Sequence, residues 1–344
     1  MTSTAKVPQV MVLGDTRDIY HHGCEAVLRQ LLLGLEKDGI SPRRIVAGMN
    51  WSAHAKEFLE ADLVVINGEG ALHHDRPIVQ GVLDLASRRK ELSLPTALVN
   101  TSWFANSPAN TCRLAAFDLI ALRDPLSRRG LAQFGLDSLD APDLAIREAC
   151  TSTATEIIPG EKFIASDSTR TEITRLLRAT AKKRGWDYLP ILYAPAHSRP
   201  SKKSQKIWAK ILIARTIGPL AEHFMHPRYH AHLAGVPSLS LYMNALRQSR
   251  GVLTGRFHTT CFCIGLGVPF VAIRSNTDKI RGLLLDAGLD PERRMIPADS
   301  LETIGDIPPF TNVEIEALAD FRRESETRYR KLFAAIRNLI QTNS

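Results

Sequence analysis

Three short segments of this 344-residue chain gather residue types that do chemistry, and each directly follows an apolar run. Gly14-Asp15-Thr16-Arg17 combines a turn with a carboxylate, a hydroxyl and a guanidinium, and His21, His22 and Gly23 follow just before a helical pattern. A glycine turn at a helix start offers backbone N–H groups and the positive end of the helix dipole to an anion or a sugar hydroxyl. Asn67-Gly68-Glu69-Gly70 sets a carboxylate between two glycines, with His73, His74 and Asp75 a turn later. The glycines let the backbone turn tightly while Glu69 projects as an acid or base. The His-His-Asp run is too compact for the usual zinc spacings, so no metal is expected there.

The third segment is Thr254-Gly255-Arg256-Phe257-His258, ahead of the apolar stretch from Thr259 to Ile273. Arg256 supplies a planar fork for a carboxylate or phosphate, and His258, two residues on, can serve the same point as a general acid. An Arg and a His opening an apolar segment are costly to hold without partners. Ser275, Asn276 and Lys279 follow the next apolar run and open another helix, so a hydroxyl, an amide, an ammonium and helix N–H groups converge where a phosphate fits. Arg123-Asp124 and Pro142-Asp143 end two further runs and read equally as site residues or as an interdomain salt bridge.

The elements that must position these groups alternate along the chain. Apolar strand-like runs at 7–15, 43–49, 62–68, 96–100 and 118–124 lead into helical patterns at 23–39, 78–92 and 125–134. A polar stretch with a Pro-Gly turn at 150–161 breaks the alternation, which resumes with strands at 162–167, 188–195, 251–255 and 269–273 and helices at 169–184, 204–217, 257–266 and 277–287. Repeated β-α order predicts parallel sheets flanked by helices. The expected fold is α/β, two Rossmann-like domains facing across a cleft, residues 1–155 and 156–310, with a helix in 311–344 packing back. Ligands of open α/β sheets sit beyond the carboxyl ends of the strands, where these motifs fall.

Composition narrows the class. Apolar residues make up 44% and charged residues 23%, values of an ordinary globular chain. Five cysteines without a Cys-x-x-Cys pair suit reduced thiols, with Cys261 and Cys263 expected in the core. No run of 18 apolar residues and no secretion signal is apparent, so a cytoplasmic location is expected. The net charge of +8 belongs to the second half: residues 1–150 hold 16 Lys/Arg against 18 Asp/Glu, and the remainder 28 against 18. That charge suits a phosphorylated donor or an anionic membrane face. Aromatic residues are 6% and no nucleic-acid-binding signature accompanies the charge, so nucleic acid is not an expected partner.

Taken in order, Gly14-Asp15, Asn67 to Gly70, the stretch ALRDPLSRRGLAQFGL, PDLAI, GRFH and GLGVPFVAI with a following lysine resemble the polysaccharide pyruvyl transferase family over residues 10–290. The resemblance implies a GT-B-like pair of domains and transfer of pyruvate from phosphoenolpyruvate onto a sugar of a cell-surface glycan as a ketal. It implies that Arg256 and His258 match the family's Arg-x-His element, with Arg256 on the donor's carboxylate or phosphate, His258 as acid, and Asp15 or Glu69 taking the hydroxyl proton. Gly14, Arg17, Asn67, Gly68, Gly70, His73, His74, Arg123, Ser275, Asn276 and Lys279 complete the expected substrate contacts, with a glycan or lipid-linked saccharide as acceptor and no cofactor.

One departure opens an alternative. Members of the family commonly have Gly where this chain has Glu69. The same superfamily is similar to retaining Kdo transferases, which use a carboxylate pair and a CMP-linked 2-keto sugar acid; Glu69 as acid/base and Asp143 as nucleophile would form that pair. A nonenzymatic glycan-binding module is the second alternative. Segment 202–217 reads as a basic helix setting Ile207, Trp208, Ile211 and Ile213 against Lys202, Lys203, Lys206, Lys210 and Arg215, a face for peripheral docking on an anionic membrane.

Overall fold

The computed structural model describes residues 8–70, 72–152, 160–194, 205–217, 227–274 and 278–341. By contacts the chain divides into two units. The first comprises Met1–Thr16, Leu28–Asp143 and Ser325–Ser344, the second Arg17–Val27 and Leu144–Glu324. The break therefore falls at Asp143, ahead of the polar stretch at 150–161, and the segment carrying His21, His22 and Gly23 counts with the second unit.

The first unit holds a six-stranded parallel sheet of β1 (Val10–Asp15), β2 (Pro42–Ala47), β3 (Leu63–Glu69), β4 (Thr96–Thr101), β5 (Leu119–Leu122) and β6 (Leu139–Asp140), in the order β2-β1-β3-β4-β5-β6. Every residue of β3 and β4 is buried, as central parallel strands covered on both faces must be. Edge strand β2 instead exposes Arg43 and Arg44, which discourages pairing with another chain. Met11, Leu13, Val64, Ile66, Leu98 and Ile120 form one core with Phe58, Val79, Leu83 and Leu114.

The second unit repeats the plan with β7 (Phe163–Ser168), β8 (Asp187–Tyr188), β9 (Gly251–Gly255), β10 (Phe270–Ile273) and β11 (Met295–Ile296), in the order β11-β10-β9-β7-β8. In each sheet the strand order reverses once, between β1 and β3 and between β7 and β9, and such switch points are where open α/β sheets receive ligands. The expected strand at 188–195 shrinks to the two residues of β8, because Pro190 lacks the N–H that a ladder needs. The residues after it form a loop that enters the site below.

The helix Asn312–Gln341 confirms the helical C-terminus, its first part counting with the second unit and its last with the first. Its Glu314 lies against the fully buried Arg294, whose guanidinium donates from Nε and Nη2 at 2.7 Å each and also reaches the Pro308 and Pro309 carbonyls. Burial alone would raise the Glu314 carboxyl, but the hydrogen bonds from Arg294 and from the Thr311 N–H outweigh it and hold the pKa at about 2, against an ordinary 4.5. A depressed folded pKa contributes stability above the ordinary value and loses it as pH falls toward the folded one. The stability gap between wild type and Glu314→Gln, read from urea midpoints, is therefore expected to close between pH 4.5 and pH 2, by on the order of 3 kcal/mol. A gap independent of pH over that window would refute the pairing.

In the Gln205–Ile217 helix Ile211 is buried, while Lys210, Leu212 and Ile213 are exposed. The Ile207, Trp208 and Arg215 side chains of the expected basic helix face fall outside the described residues. Lys202 and Lys203 fall outside the described residues, as does the Lys206 side chain. No helix among the described residues is long and apolar enough to cross a membrane.

Candidate functional site

The second switch point is built from the ends of β7 and β9. Asp167, the penultimate residue of β7, is fully buried, and Arg256, the residue after β9, donates to its Oδ2 from Nε at 2.8 Å and also from Nη2. The fork thus grips Asp167 with one edge and leaves Nη1 for a ligand. Arg256 is also the N-cap residue of the helix Phe257–Leu266, so its side chain starts at the positive end of that helix. His258 stands in that first turn, half-buried. A guanidinium, an imidazole and a helix N-terminus at one point make an anion site.

The start of the helix His22–Lys37 closes on the same point. Gly23 is required there, since a Cβ would overlap the His258 ring. The His21 and His258 rings meet edge to face with centroids 5.3 Å apart. His22 is fully buried, stacks on Tyr193 at 4.4 Å and places Nε2 3.0 Å from the Val236 carbonyl. Burial pushes the Tyr193 phenol up, so it stays an O–H donor at neutral pH. Tyr242, raised likewise by burial, lies 5.0 Å from His22 and 2.9 Å from the Thr259 hydroxyl. Cys261 and Cys263 lie deeper in the Phe257–Leu266 helix, both buried, and burial raises the Cys263 thiol.

The first unit's switch point joins β1 to β3. Asn67 donates from Nδ2 to the Gly14 carbonyl at 3.1 Å, and the Thr16 hydroxyl donates to the Glu69 carboxylate. Gly14 has φ +102°, and a Cβ there would overlap the Asn67 carbonyl. Gly68 packs against Thr101 with the same lack of room, and Gly70 is an exposed turn residue. Glu69 itself is buried at 5% exposure with φ +42°, a left-handed bend that favours glycine. Asp15 is half-buried and Arg17 exposed, the latter counting with the second unit.

Two expected site residues turn out to be framework. Asp143 is fully buried and bound by the equally buried Arg123 at 2.5 Å, and Arg123 also donates to Ser102 Oγ. An enclosed carboxylate already neutralised by a guanidinium cannot attack a sugar carbon, so the nucleophile assigned to Asp143 is withdrawn, and Arg123 with it as a substrate contact. The pair is a salt bridge, but within the first unit and not between domains. His73 and His74 share a 2.7 Å nitrogen–nitrogen contact on an outer loop, where His74 also meets Phe104 edge to face. Lys279 opens the helix Lys279–Asp286, half-buried. Ser275 and Asn276 fall outside the described residues.

The sequence reading missed Asp167, Tyr193 and Tyr242. Asp167 ends an apolar run, as Asp15 does, and that repeated position was the available signal. Tyr193 and Tyr242 carried none, because one lies within an expected strand and the other on an apolar helix face.

No curated protein matches the chain. Among solved structures it is similar to an α,α-trehalose-phosphate synthase (UDP-forming) from Burkholderia vietnamiensis, at 12% identity and TM-score 0.51, covering 97% of this chain and 99% of that one. It is also similar to UDP-GlcNAc 2-epimerase from Neisseria meningitidis, at 12% identity and TM-score 0.44, covering 94% and 93%. The first likeness shows the fold, an α/β pair of Rossmann-like units of GT-B type. The family described as polysaccharide pyruvyl transferase matches residues 21–277, which takes in Asn67 to Gly70 and Arg256 to His258 and leaves Gly14-Asp15 just outside. With most of its length matched and the Arg-x-His element seated at a switch point, the chain belongs to the polysaccharide pyruvyl transferase family.

Proposed function

We propose that this transferase moves the enolpyruvyl carbons of phosphoenolpyruvate onto two hydroxyls of a glycan sugar, giving a pyruvyl ketal and inorganic phosphate. Family membership makes it a polysaccharide-modifying transferase and sets aside a nonenzymatic binding module. The observation supporting the specific donor is the Arg256 fork, braced by buried Asp167 beside a helix N-terminus and His258. Phosphoenolpyruvate carries a carboxylate and a phosphate, and both are anions that such a point binds.

The reaction needs one hydroxyl to add to the enol C2 while C3 takes a proton, and a second hydroxyl to add to C2 as phosphate departs. Arg256 holds the donor and offsets the charge gathering on the leaving phosphate. His258 delivers the proton to C3. Of the two hydroxyl protons, one replaces the proton that His258 gives to C3 and the other leaves with the phosphate; Glu69 is the candidate base that takes each in turn and passes it on. A lipid-linked saccharide met at a cytoplasmic membrane face is the acceptor we favour.

The alternative donor, a CMP-linked keto sugar acid, loses its nucleophile with the enclosure of Asp143. Purified protein incubated with phosphoenolpyruvate and diol-bearing glycans is expected to release phosphate and to add one pyruvyl ketal to the acceptor by mass. Turnover with CMP-Kdo and none with phosphoenolpyruvate would reverse the assignment.

A further inference from the structure

His21 has no role in the reaction as drawn above, yet its surroundings are specific. The ring is buried, and its Nδ1 accepts the backbone N–H of Gly23 at 3.0 Å and of Cys24 at 3.4 Å, so His21 caps the His22–Lys37 helix. An imidazole accepting at Nδ1 carries its proton at Nε2. Asn, Asp, Ser and Thr cap helices in the same way with fewer atoms. What a histidine adds is the ring, and that ring stands edge to face against His258, with an interplanar angle of 71°. The bare Cα of Gly23 bounds a second side of His258, and the Phe257 ring, 5.5 Å away and also edge to face, a third.

The same segment is stitched to the loop after β8. His21 forms an antiparallel bridge with Leu192, the His22 N–H donates to Ile191 O at 3.2 Å, and the Tyr193 N–H donates to Tyr20 O at 3.1 Å. The Ile191 N–H in turn donates to Asp167 Oδ1 at 3.0 Å, and Asp167 holds Arg256. A continuous chain of bonds and ring contacts thus runs from Arg256 through Asp167 and the 191–193 loop to His21 and His258.

We propose that His21 is a positioning residue, its ring fixing the His258 imidazole on the frame that also fixes Arg256. The proposal rests on the reading of His258 as the proton donor of the transfer. Displacing a proton donor by about 1 Å costs on the order of 10²-fold in rate, so a ring wall that prevents it matters to turnover more than to binding.

His21→Asn separates the cap from the ring, since asparagine keeps an oxygen for the Gly23 and Cys24 N–H groups. The variant is expected to melt near wild type, to keep KM for phosphoenolpyruvate within about threefold and to lose about 10²-fold in kcat. In protein labelled with 15N-histidine, the His258 ring resonances are expected to shift. His21→Ser is a second variant that keeps the cap, and it should behave alike. Wild-type kcat in either folded variant would overturn the proposal, and so would failure of both to fold, which would assign His21 to the fold alone. If the wild type performs no pyruvyl transfer, the functional reading fails, and the His258 resonances still decide: unchanged in the variants, they overturn the positioning role.

Discussion

Arg256→Ala is expected to lower turnover with phosphoenolpyruvate by about 10³-fold and, in the same protein, to lower the melting temperature by on the order of 10 °C. From sequence alone a cleft arginine should be dispensable for stability. The structure changes that expectation, because Asp167 is fully buried and two of the three guanidinium nitrogens of Arg256 are spent on it. Removing the cation leaves an enclosed carboxylate to which only the Ile191 N–H and the Ser166 hydroxyl are seen to donate. Breaking a buried pair from one side costs about 3–5 kcal/mol. Removing both charges is milder, so Arg256→Met with Asp167→Leu should recover most of the melting temperature and none of the activity. Asp167→Asn alone should keep the fold and lose turnover, because an amide no longer holds the guanidinium rigidly. Calorimetry and phosphate-release kinetics on the three variants check this. A double variant that regains activity would remove Arg256 from the mechanism.

How much of this was legible in the sequence depends on how far apart the interacting residues lie along the chain. The strand at 251–255 and the helix at 257–266 appear as read, because an apolar β-rich run and a following helical pattern are local signals. The placement of Arg256 and His258 at a strand end followed from them. Asp167 was not legible as their partner: it lies 89 residues before Arg256, and only the pairing of β7 with β9 brings the two together. The same gap misled in the opposite direction at Asp143, whose partner Arg123 is 20 residues away and turns a candidate nucleophile into framework. The two-residue strands β6 and β11 were too short to leave a pattern. The segment 17–27 was assigned by adjacency to the domain around it, although its contacts are with the later unit. Local periodicity names elements, and long-range pairing decides which polar ends become a site.

Glu69→Gly is expected to abolish most turnover while leaving the protein at least as stable as wild type. The residue ends β3 with φ +42°, a conformation that costs an ordinary L residue about 1–2 kcal/mol and glycine almost nothing. Its side chain is 5% exposed, and the Thr16 hydroxyl donates to it. Glycine would give up that hydrogen bond, worth about 1 kcal/mol net, and would relieve the strained bend, so the two changes roughly cancel in the melting temperature. Glycine would hold this bend without strain, so an L residue with a buried carboxylate kept there points to function. If Glu69 takes the acceptor hydroxyl's proton, Glu69→Gly and Glu69→Gln both lose about 10²–10⁴-fold in kcat, since neither side chain can accept it. If Glu69 instead only lines the donor path, removing its negative charge would lower KM for phosphoenolpyruvate and leave kcat standing. Steady-state kinetics on both variants, beside their melting curves, separate these results, and wild-type kcat in Glu69→Gly would end the assignment of Glu69 as base.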